Sequence, residues 1–128
     1  MKEKIAIETS NAPGAVGPYS QAVRVGELLF TSGQLPIDPA TGKMAEGTIA
    51  IRAHQALKNL KAVIEAAGGR LEDVLKTTVF LSDIGDFQEV NAVYAEYFSS
   101  PFPARSAIQV AALPLGADIE IEAIVLIN

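Results

Sequence analysis

The fold is decided by the stretch Ile119-Glu120-Ile121-Glu122-Ala123-Ile124-Val125-Leu126-Ile127 near the end of the chain. Successive side chains of a β-strand point to opposite faces, so Glu120 and Glu122 share one face with Ile124 and Leu126. One interpretation is a solvated edge strand whose charges discourage aggregation between sheets. The length of the apolar run instead indicates burial on both faces, which would raise the pKa of a carboxyl group and suit it to acid–base chemistry.

A lone arginine lies upstream of this strand, in Phe102-Pro103-Ala104-Arg105-Ser106. Arg105 follows a turn that contains Pro103 and begins an apolar segment. Burying a permanent cation there costs free energy unless an anionic group pairs with it. The partner could be an acid of the fold, in a structural salt bridge, or the carboxylate of a ligand bound bidentately. In one partly buried pocket, the guanidinium and a strand carboxylate would bind a small anionic substrate and handle its protons.

The first third of the chain has the pattern of short antiparallel strands. A strand is predicted at 4–7, and strands at 19–25 and 28–31 flank the tight hairpin turn Gly26-Glu27. Residues 38–42 form a second turn by composition. These segments predict a small set of strands before the first helix.

Helical and extended segments alternate in the rest of the chain. Apolar residues at helical spacing predict a helix over 49–67 that Gly68-Gly69 closes. A strand is predicted at 74–82, and Asp86 with Glu89 has the spacing of a capping box that opens a second helix ending before Pro101. That helix would present one face to the core, made of Phe87, Val90, Tyr94, Tyr97 and Phe98. Two closing strands at 105–111 and 119–127 complete an α+β fold, in which two helices pack on one face of a single mixed sheet.

Composition narrows the class of protein. The chain of 128 residues, long enough for one domain spanning residues 1–128, contains no cysteine and one histidine, so thiolate nucleophiles and ordinary Cys- or His-rich metal sites are not expected. A net charge of −5 without a basic run disfavours nucleic acid as the main partner.

No apolar stretch is long enough to span a membrane, and Met1–Lys4 does not lead into a signal-peptide core. These features predict a soluble, cytoplasmic protein. A hydrophobic fraction of 49% in so small a chain indicates that identical partners bury part of its surface.

Taken in order, several blocks of the sequence resemble the RidA (YjgF/YER057c/UK114) family of enamine/imine deaminases over essentially the whole chain. The most specific blocks are the segments around Arg105 and Glu120. The others are Gly17-Pro18-Tyr19-Ser20-Gln21-Ala22, Thr31-Ser32-Gly33-Gln34-Leu35-Pro36, residues 59–68, Lys76-Thr77-Thr78-Val79-Phe80-Leu81 and residues 87–94.

The resemblance implies a chorismate-mutase-like subunit that assembles as a barrel-cored homotrimer, with sheets inside, helices outside and active sites between subunits. It also implies hydrolysis of 2-imino acids, such as those derived from 2-aminoacrylate and 2-aminocrotonate, to 2-keto acids and ammonia. No metal or organic cofactor is implied.

Site residues follow from the same resemblance. Arg105 corresponds to the arginine that holds the substrate carboxylate, and Glu120 to the acid beside the attacking water. The remaining pocket positions are Tyr19, Ser32, Gly33, Asn91 and Ala107. Many relatives carry cysteine where this chain has Ala107, so activity is expected to persist if that contact comes from the main chain.

Three other functions compete with deamination. A non-catalytic trimer that binds small carboxylates, as a sensor or a protein partner, would use the same Arg105 pocket. A nuclease fits poorly with an isoelectric point near 4.8. A pericyclic mutase is disfavoured because the four arginines are dispersed at 24, 52, 70 and 105.

Overall fold

The computed structural model describes residues 3–128 and has two sheets and two helices. The strands are β1 (Ile5–Ile7), β2 (Ala22–Val25), β3 (Leu28–Thr31), β4 (Ile37–Asp38), β5 (Lys43–Met44), β6 (Val74–Leu81), β7 (Ala104–Gln109) and β8 (Ile119–Leu126), and the helices are α1 (Ile49–Ala66) and α2 (Phe87–Tyr94). Six strands form the main sheet in the order β1-β2-β3-β8-β6-β7, while β4 and β5 pair separately as a hairpin. Short 3-10 turns precede β6, α2 and β8. The predicted α+β class is confirmed.

The central strand of the sheet is β8, between β3 and β6. Its side chains point alternately to the two faces, as predicted: Ile119, Ile121, Ala123 and Val125 are at most 3% exposed, whereas the residues between them are partly exposed. The expected burial on both faces does not hold within one chain, because the second face of β8 is only partly covered. The buried side chains face the helices, which cover one side of the sheet. The interpretation of Glu120 and Glu122 as charges on an edge strand is therefore wrong.

The two helices and the covered face of the sheet enclose one hydrophobic core. Helix α1 begins at its N-cap Thr48, whose hydroxyl accepts a 3.4 Å hydrogen bond from the backbone N–H of Ile51. Its buried apolar residues are spaced to form one face: Ala53, Ala56, Leu57, Leu60, Val63 and Ile64. Leu29, Val79 and Leu81 meet this face from the sheet. No helix in residues 3–128 is long and apolar enough to cross a membrane.

Three local expectations differ from the structure. Asp86 makes no capping hydrogen bond with its side chain, because its backbone is already helical; instead the carboxylate of Asp83 accepts from the N–H of Gly85 at 2.8 Å. Helix α2 ends at Tyr94, so Phe98 reaches the core from beyond the helix. The closing strands are not hydrogen-bonded neighbours, since β6 lies between them and pairs in parallel with β7. Helix α2 supplies the crossover connection that a parallel pair requires.

The other face of the sheet is not covered within the chain. Leu28, Phe30 and Ile108 are 37%, 43% and 44% exposed on this face. Ile124 and Leu126 lie beside Phe30 and Leu28 across the β3–β8 pair. An apolar sheet face of this kind indicates burial against another molecule.

A buried side-chain amide links the helical layer to the start of β4 and the residues just before it. Asn59 of α1 is 1% exposed and donates hydrogen bonds to the carbonyl oxygens of Leu35 and Ile37, at 3.0 and 2.8 Å. Its own Oδ1 accepts a 2.9 Å bond from Gln55. Every polar atom of the Asn59 side chain is thus used, as a buried polar group requires.

We expect Asn59→Asp to lower the free energy of unfolding by about 2–4 kcal/mol, because it removes both amide donors and buries a carboxylate beside two carbonyls. Lys58→Gln, at the exposed neighbouring position, is the control and should change stability by less than about 0.5 kcal/mol. Urea denaturation at one fixed protein concentration measures both, and equal effects would contradict this role of Asn59.

Candidate active site

A cavity of about 640 Å³, open to solvent, has Glu120 in its lining. Its walls come from the loop before β2, the segment after β3 and the 3-10 turn before β8. Most of the lining is apolar. The lining residues are Pro13, Gly14, Val16, Tyr19, Gln21, Ser32, Gly33, Gln34, Leu35, Ile37, Pro114, Leu115 and Glu120.

Glu120 is the acidic residue of this cavity. Its carboxylate lies against Gly33, where a Cβ atom would be 2.6 Å from Cδ and 2.8 Å from Cγ of Glu120. Burial raises the pKa of Glu120, and the negative charge of Glu122 on the same face of β8 raises it further. A carboxyl group with a raised pKa exchanges protons closer to neutral pH, which suits it to acid–base chemistry.

The loop that walls the cavity is held by a buried glutamine. Gln21 is 2% exposed; its Oε1 accepts from the N–H of Thr9 at 2.7 Å. Its Nε2 donates to the carbonyl oxygens of Thr9 and Pro13, at 3.0 and 2.8 Å, and more weakly to that of Ala12. The loop has no regular secondary structure to fix it, so these bonds set the position of this wall.

The side chain of Ser32 is hydrogen-bonded to the backbone next to Tyr19. The hydroxyl of Ser32 donates a 2.6 Å hydrogen bond to the carbonyl of Ser20. The hydroxyl of Tyr19 accepts from the N–H of Val16 at 3.4 Å, and its side chain is 54% exposed at the cavity mouth. Ser32 therefore positions the segment that carries Tyr19.

Arg105 lies in a second cavity, of about 380 Å³, between β7 and α2. Its Nη1 donates a 2.7 Å hydrogen bond to Oδ1 of Asn91. The guanidinium carbon lies 4.8 Å from the ring centroid of Tyr94 and 5.2 Å from that of Phe87, within cation–π range. No ion pair within 4.0 Å among residues 3–128 involves Arg105. An oriented cation without a carboxylate partner is suited to binding an anion.

Within one chain, Arg105 and Glu120 do not share a pocket. Arg105 is opposite Thr77 of β6, and Thr77 is opposite Ala123 of β8, so these three side chains point to the helical face. Glu120 is three residues from Ala123 and points to the open face. Within one chain the two groups therefore lie in separate cavities, and a shared pocket between subunits stays a prediction.

The remaining predicted positions divide between the two regions. Tyr19, Ser32 and Gly33 line the Glu120 cavity, whereas Asn91 lines the Arg105 cavity. Ala107 lies two residues after Arg105 in β7 and packs its side chain against the core. No group of three or more His, Asp or Glu residues within residues 3–128 is arranged to hold a metal ion.

Sequence reasoning missed the residues that shape the Glu120 cavity. Gln21 and Asn59 lie in segments used for the family resemblance, but no pattern revealed their hydrogen bonds. Val16 and Leu115 carry no sequence signal of a place in the cavity wall, which only the structure shows. A polar residue in an apolar helical face, as Asn59 is, was the one available signal.

Comparison with known proteins places this architecture among characterised relatives. The family model described as Endoribonuclease L-PSP matches residues 9–127. The human protein named 2-iminobutanoate/2-iminopropanoate deaminase is 54% identical over 118 residues, covering 92% of this chain and 86% of the relative.

Solved structures agree closely with the fold. RidA from an Antarctic Psychrobacter species has a TM-score of 0.92 and 50% identity, covering 96% of this chain and 99% of that one. TdcF of E. coli, crystallised with bound serine, has a TM-score of 0.91 and 43% identity, covering 97% and 99%.

We expect Gly33→Ala to expel the Glu120 carboxylate from its place beside Gly33, because the added methyl group would occupy the same space. The pKa of Glu120 should then fall toward the ordinary value for glutamate, since the group gains access to water. NMR titration of the Glu120 carboxyl carbon, assigned with Glu120→Gln, measures the change. Gly14→Ala is the matched control, because its Cβ would meet no atom within 4 Å; a Glu120 pKa that does not respond to Gly33→Ala would contradict the geometry.

The raised pKa of Glu120 also predicts a pH-dependent stability. The folded chain keeps this proton at pH values where the unfolded chain has released it, so the free energy of unfolding falls as pH rises through that window. The Glu120→Gln variant has no carboxyl group to titrate at this position and does not lose stability in this way. The difference in free energy of unfolding between the variant and the wild type should therefore shift in favour of the variant as pH rises above about 4.3, the ordinary glutamate pKa. Urea denaturation over a pH series measures the difference. If Glu65→Gln, which removes an exposed carboxyl group of α1, gave the same pH dependence, this prediction would fail.

Proposed function

The chain belongs to the RidA/YjgF family, whose family model is described as Endoribonuclease L-PSP, and from this premise we propose that it is a cytoplasmic imine deaminase. Its substrates would be 2-iminobutanoate and 2-iminopropanoate, which it would hydrolyse to 2-keto acids and ammonia without a metal or organic cofactor. The observation that carries the proposal is Glu120, a half-buried carboxyl group of raised pKa in an apolar-walled cavity.

The active site would form between two copies of the chain. Arg105 and Glu120 point to opposite faces of the sheet, so a site that uses both takes Arg105 from one copy and Glu120 from the next. The open apolar face with Leu28, Phe30 and Ile108 supports association through the sheets. We accordingly propose a homotrimer with its sheets inside, its helices outside and its active sites between subunits.

Binding of the substrate would depend on Arg105. Its planar guanidinium offers two parallel N–H donors to a carboxylate, and the hydrogen bond to Asn91 and the rings of Phe87 and Tyr94 limit its orientations. The substrate thereby arrives with its imine carbon fixed relative to Glu120. Backbone groups of Gly33 and Ala107 would complete the orientation.

The chemical step needs one activated water. Glu120 would accept a proton as the water oxygen bonds to the carbon of the protonated imine, giving a tetrahedral carbinolamine. The carbinolamine nitrogen then takes that proton from Glu120 and leaves as ammonia, while the hydroxyl gives its proton to solvent water and becomes the keto group. A protonated imine is already electrophilic, so positioning supplies much of the acceleration.

Two other functions give different experimental results. A carboxylate sensor would bind a keto acid through Arg105 but would not hydrolyse imines at any enzyme concentration. A ribonuclease, which the description of the family model suggests, is disfavoured by the net charge of −5, since binding to phosphate depends on clustered positive charge.

We expect Arg105→Ala and Glu120→Gln each to lower kcat/KM for 2-iminobutanoate by on the order of 100-fold. Glu120→Gln should still bind a keto-acid analogue, because Arg105 is intact, whereas Arg105→Ala should not. Keto-acid release from freshly generated imine and calorimetric titration measure the two properties. Near wild-type hydrolysis by Arg105→Ala would end the proposal.

A mixture of the two variants tests whether the site lies between subunits. After joint unfolding and refolding at equal amounts, about one quarter of the sites in a cyclic oligomer should join an intact Glu120 to an intact Arg105. Activity should recover to that fraction of the wild type. The control mixes Arg105→Ala with the double variant, which can form no complete site. Absence of recovery in the first mixture would contradict a site shared by two copies.

A further inference from the structure

Leu115 has an unusual backbone conformation beside the Glu120 cavity. Its φ and ψ angles are 58° and 23°, and it is the only residue other than glycine with a positive φ in residues 3–128. Side chains with a Cβ atom are disfavoured there, and glycine or asparagine would satisfy the turn with less strain. Strained residues of this kind cluster at active sites, ligand-binding positions and switch regions.

The Leu115 side chain does not contribute to the core of the chain. It is 78% exposed and lines the cavity, together with Val16, which is 89% exposed. Val16 belongs to the loop that Gln21 holds, so the two side chains come from different segments. Large apolar groups held in water at the wall of a cavity lose hydrophobic free energy that a bound apolar group would restore.

The cavity is large enough for its apolar wall to contact the side chain of a substrate. Its volume of about 640 Å³ in one chain, without the copy that would supply Arg105, falls within the range of roughly 300–1,000 Å³ typical of small-molecule sites. An imino acid with a methyl or ethyl side chain fills only a small part of such a space. The charged groups of the proposed mechanism act on the carboxylate and the imine, which leaves the apolar wall for the substrate side chain.

We infer that Leu115 is a specificity-determining residue whose isobutyl group contacts the substrate side chain and favours 2-imino acids with longer or branched apolar side chains. This inference rests on the proposed deaminase activity and adds its preferred substrate class. The left-handed backbone places Leu115 at the wall of the cavity at a cost in stability. Glycine at this position would relieve the strain but lose the contact.

The test compares two imines generated by one amino-acid oxidase: 4-methyl-2-iminopentanoate from leucine and 2-iminobutanoate from 2-aminobutanoate. We expect the wild type to have the higher kcat/KM for the longer imine. Leu115→Ala and Leu115→Gly should each lower the ratio of the two kcat/KM values by about tenfold, the lower end of the effect of a lost apolar contact. Leu115→Met, of similar volume, should keep most of the preference.

Two further measurements distinguish a contact of Leu115 with the substrate from an effect of Leu115 on the stability of the fold. Leu115→Gly should unfold at higher urea concentration than Leu115→Ala, since only glycine relieves the backbone strain, although both lose the preference. Ile51→Ala shortens another exposed apolar side chain, on α1 and outside the cavity, and should leave both rates unchanged.

Each contrary outcome is distinct. A wild type that hydrolyses both imines without preference for the longer one, or Leu115 variants that lose both activities equally, would overturn the inference and leave the deaminase proposal intact. A loss of oligomer mass in Leu115→Ala would identify Leu115 as a contact between copies and also overturn it. A wild type inactive on both imines would overturn the proposed function and the inference together.

Discussion

The alternation of side chains along β8 is the constraint on which the rest of the molecule depends. Because β8 is the central strand, every second residue must enter the core beneath α1, and the residues between them must point to the opposite face. Glu120 is thereby excluded from the helical core and directed toward the loops beside Gly33. Through the register of β8 with β6 and of β6 with β7, the same alternation directs Arg105 toward α2. Glu120 and Arg105 therefore lie on opposite faces of the sheet.

The cavity around Glu120 depends on two buried polar side chains, Gln21 in its wall and Asn59 outside it. Gln21 holds the loop before β2, and Asn59 holds the segment before β4, each through bonds to backbone carbonyls. Such bonds are directional, so they fix a loop where apolar packing alone would allow several positions. Val16 can then remain exposed at the cavity wall, because Gln21 holds the loop that carries it.

Much of the fold could be predicted because it depends on local chemistry. Short segments of sequence are enough to predict the apolar spacing of α1, the Gly26-Glu27 hairpin and the alternation of β8. The structure confirms all three. The capping box at Asp86 was wrong because the preceding 3-10 turn already makes that residue helical. Pairing of β6 with β7 depends on a crossover through α2, which no local pattern reveals.

By itself, the sequence determined the α+β class, the two helices and the unusual chemistry of Arg105 and Glu120, because period, capping residues and the cost of a charge in an apolar run are properties of neighbouring residues. Only the tertiary structure decided that these two groups face opposite sides of one sheet. It also decided that Gly33 makes room for the Glu120 carboxylate and that Leu115 adopts a left-handed conformation at the cavity wall. These outcomes depend on strand order and on contacts between residues distant in the chain, and such contacts leave no signature in local spacing.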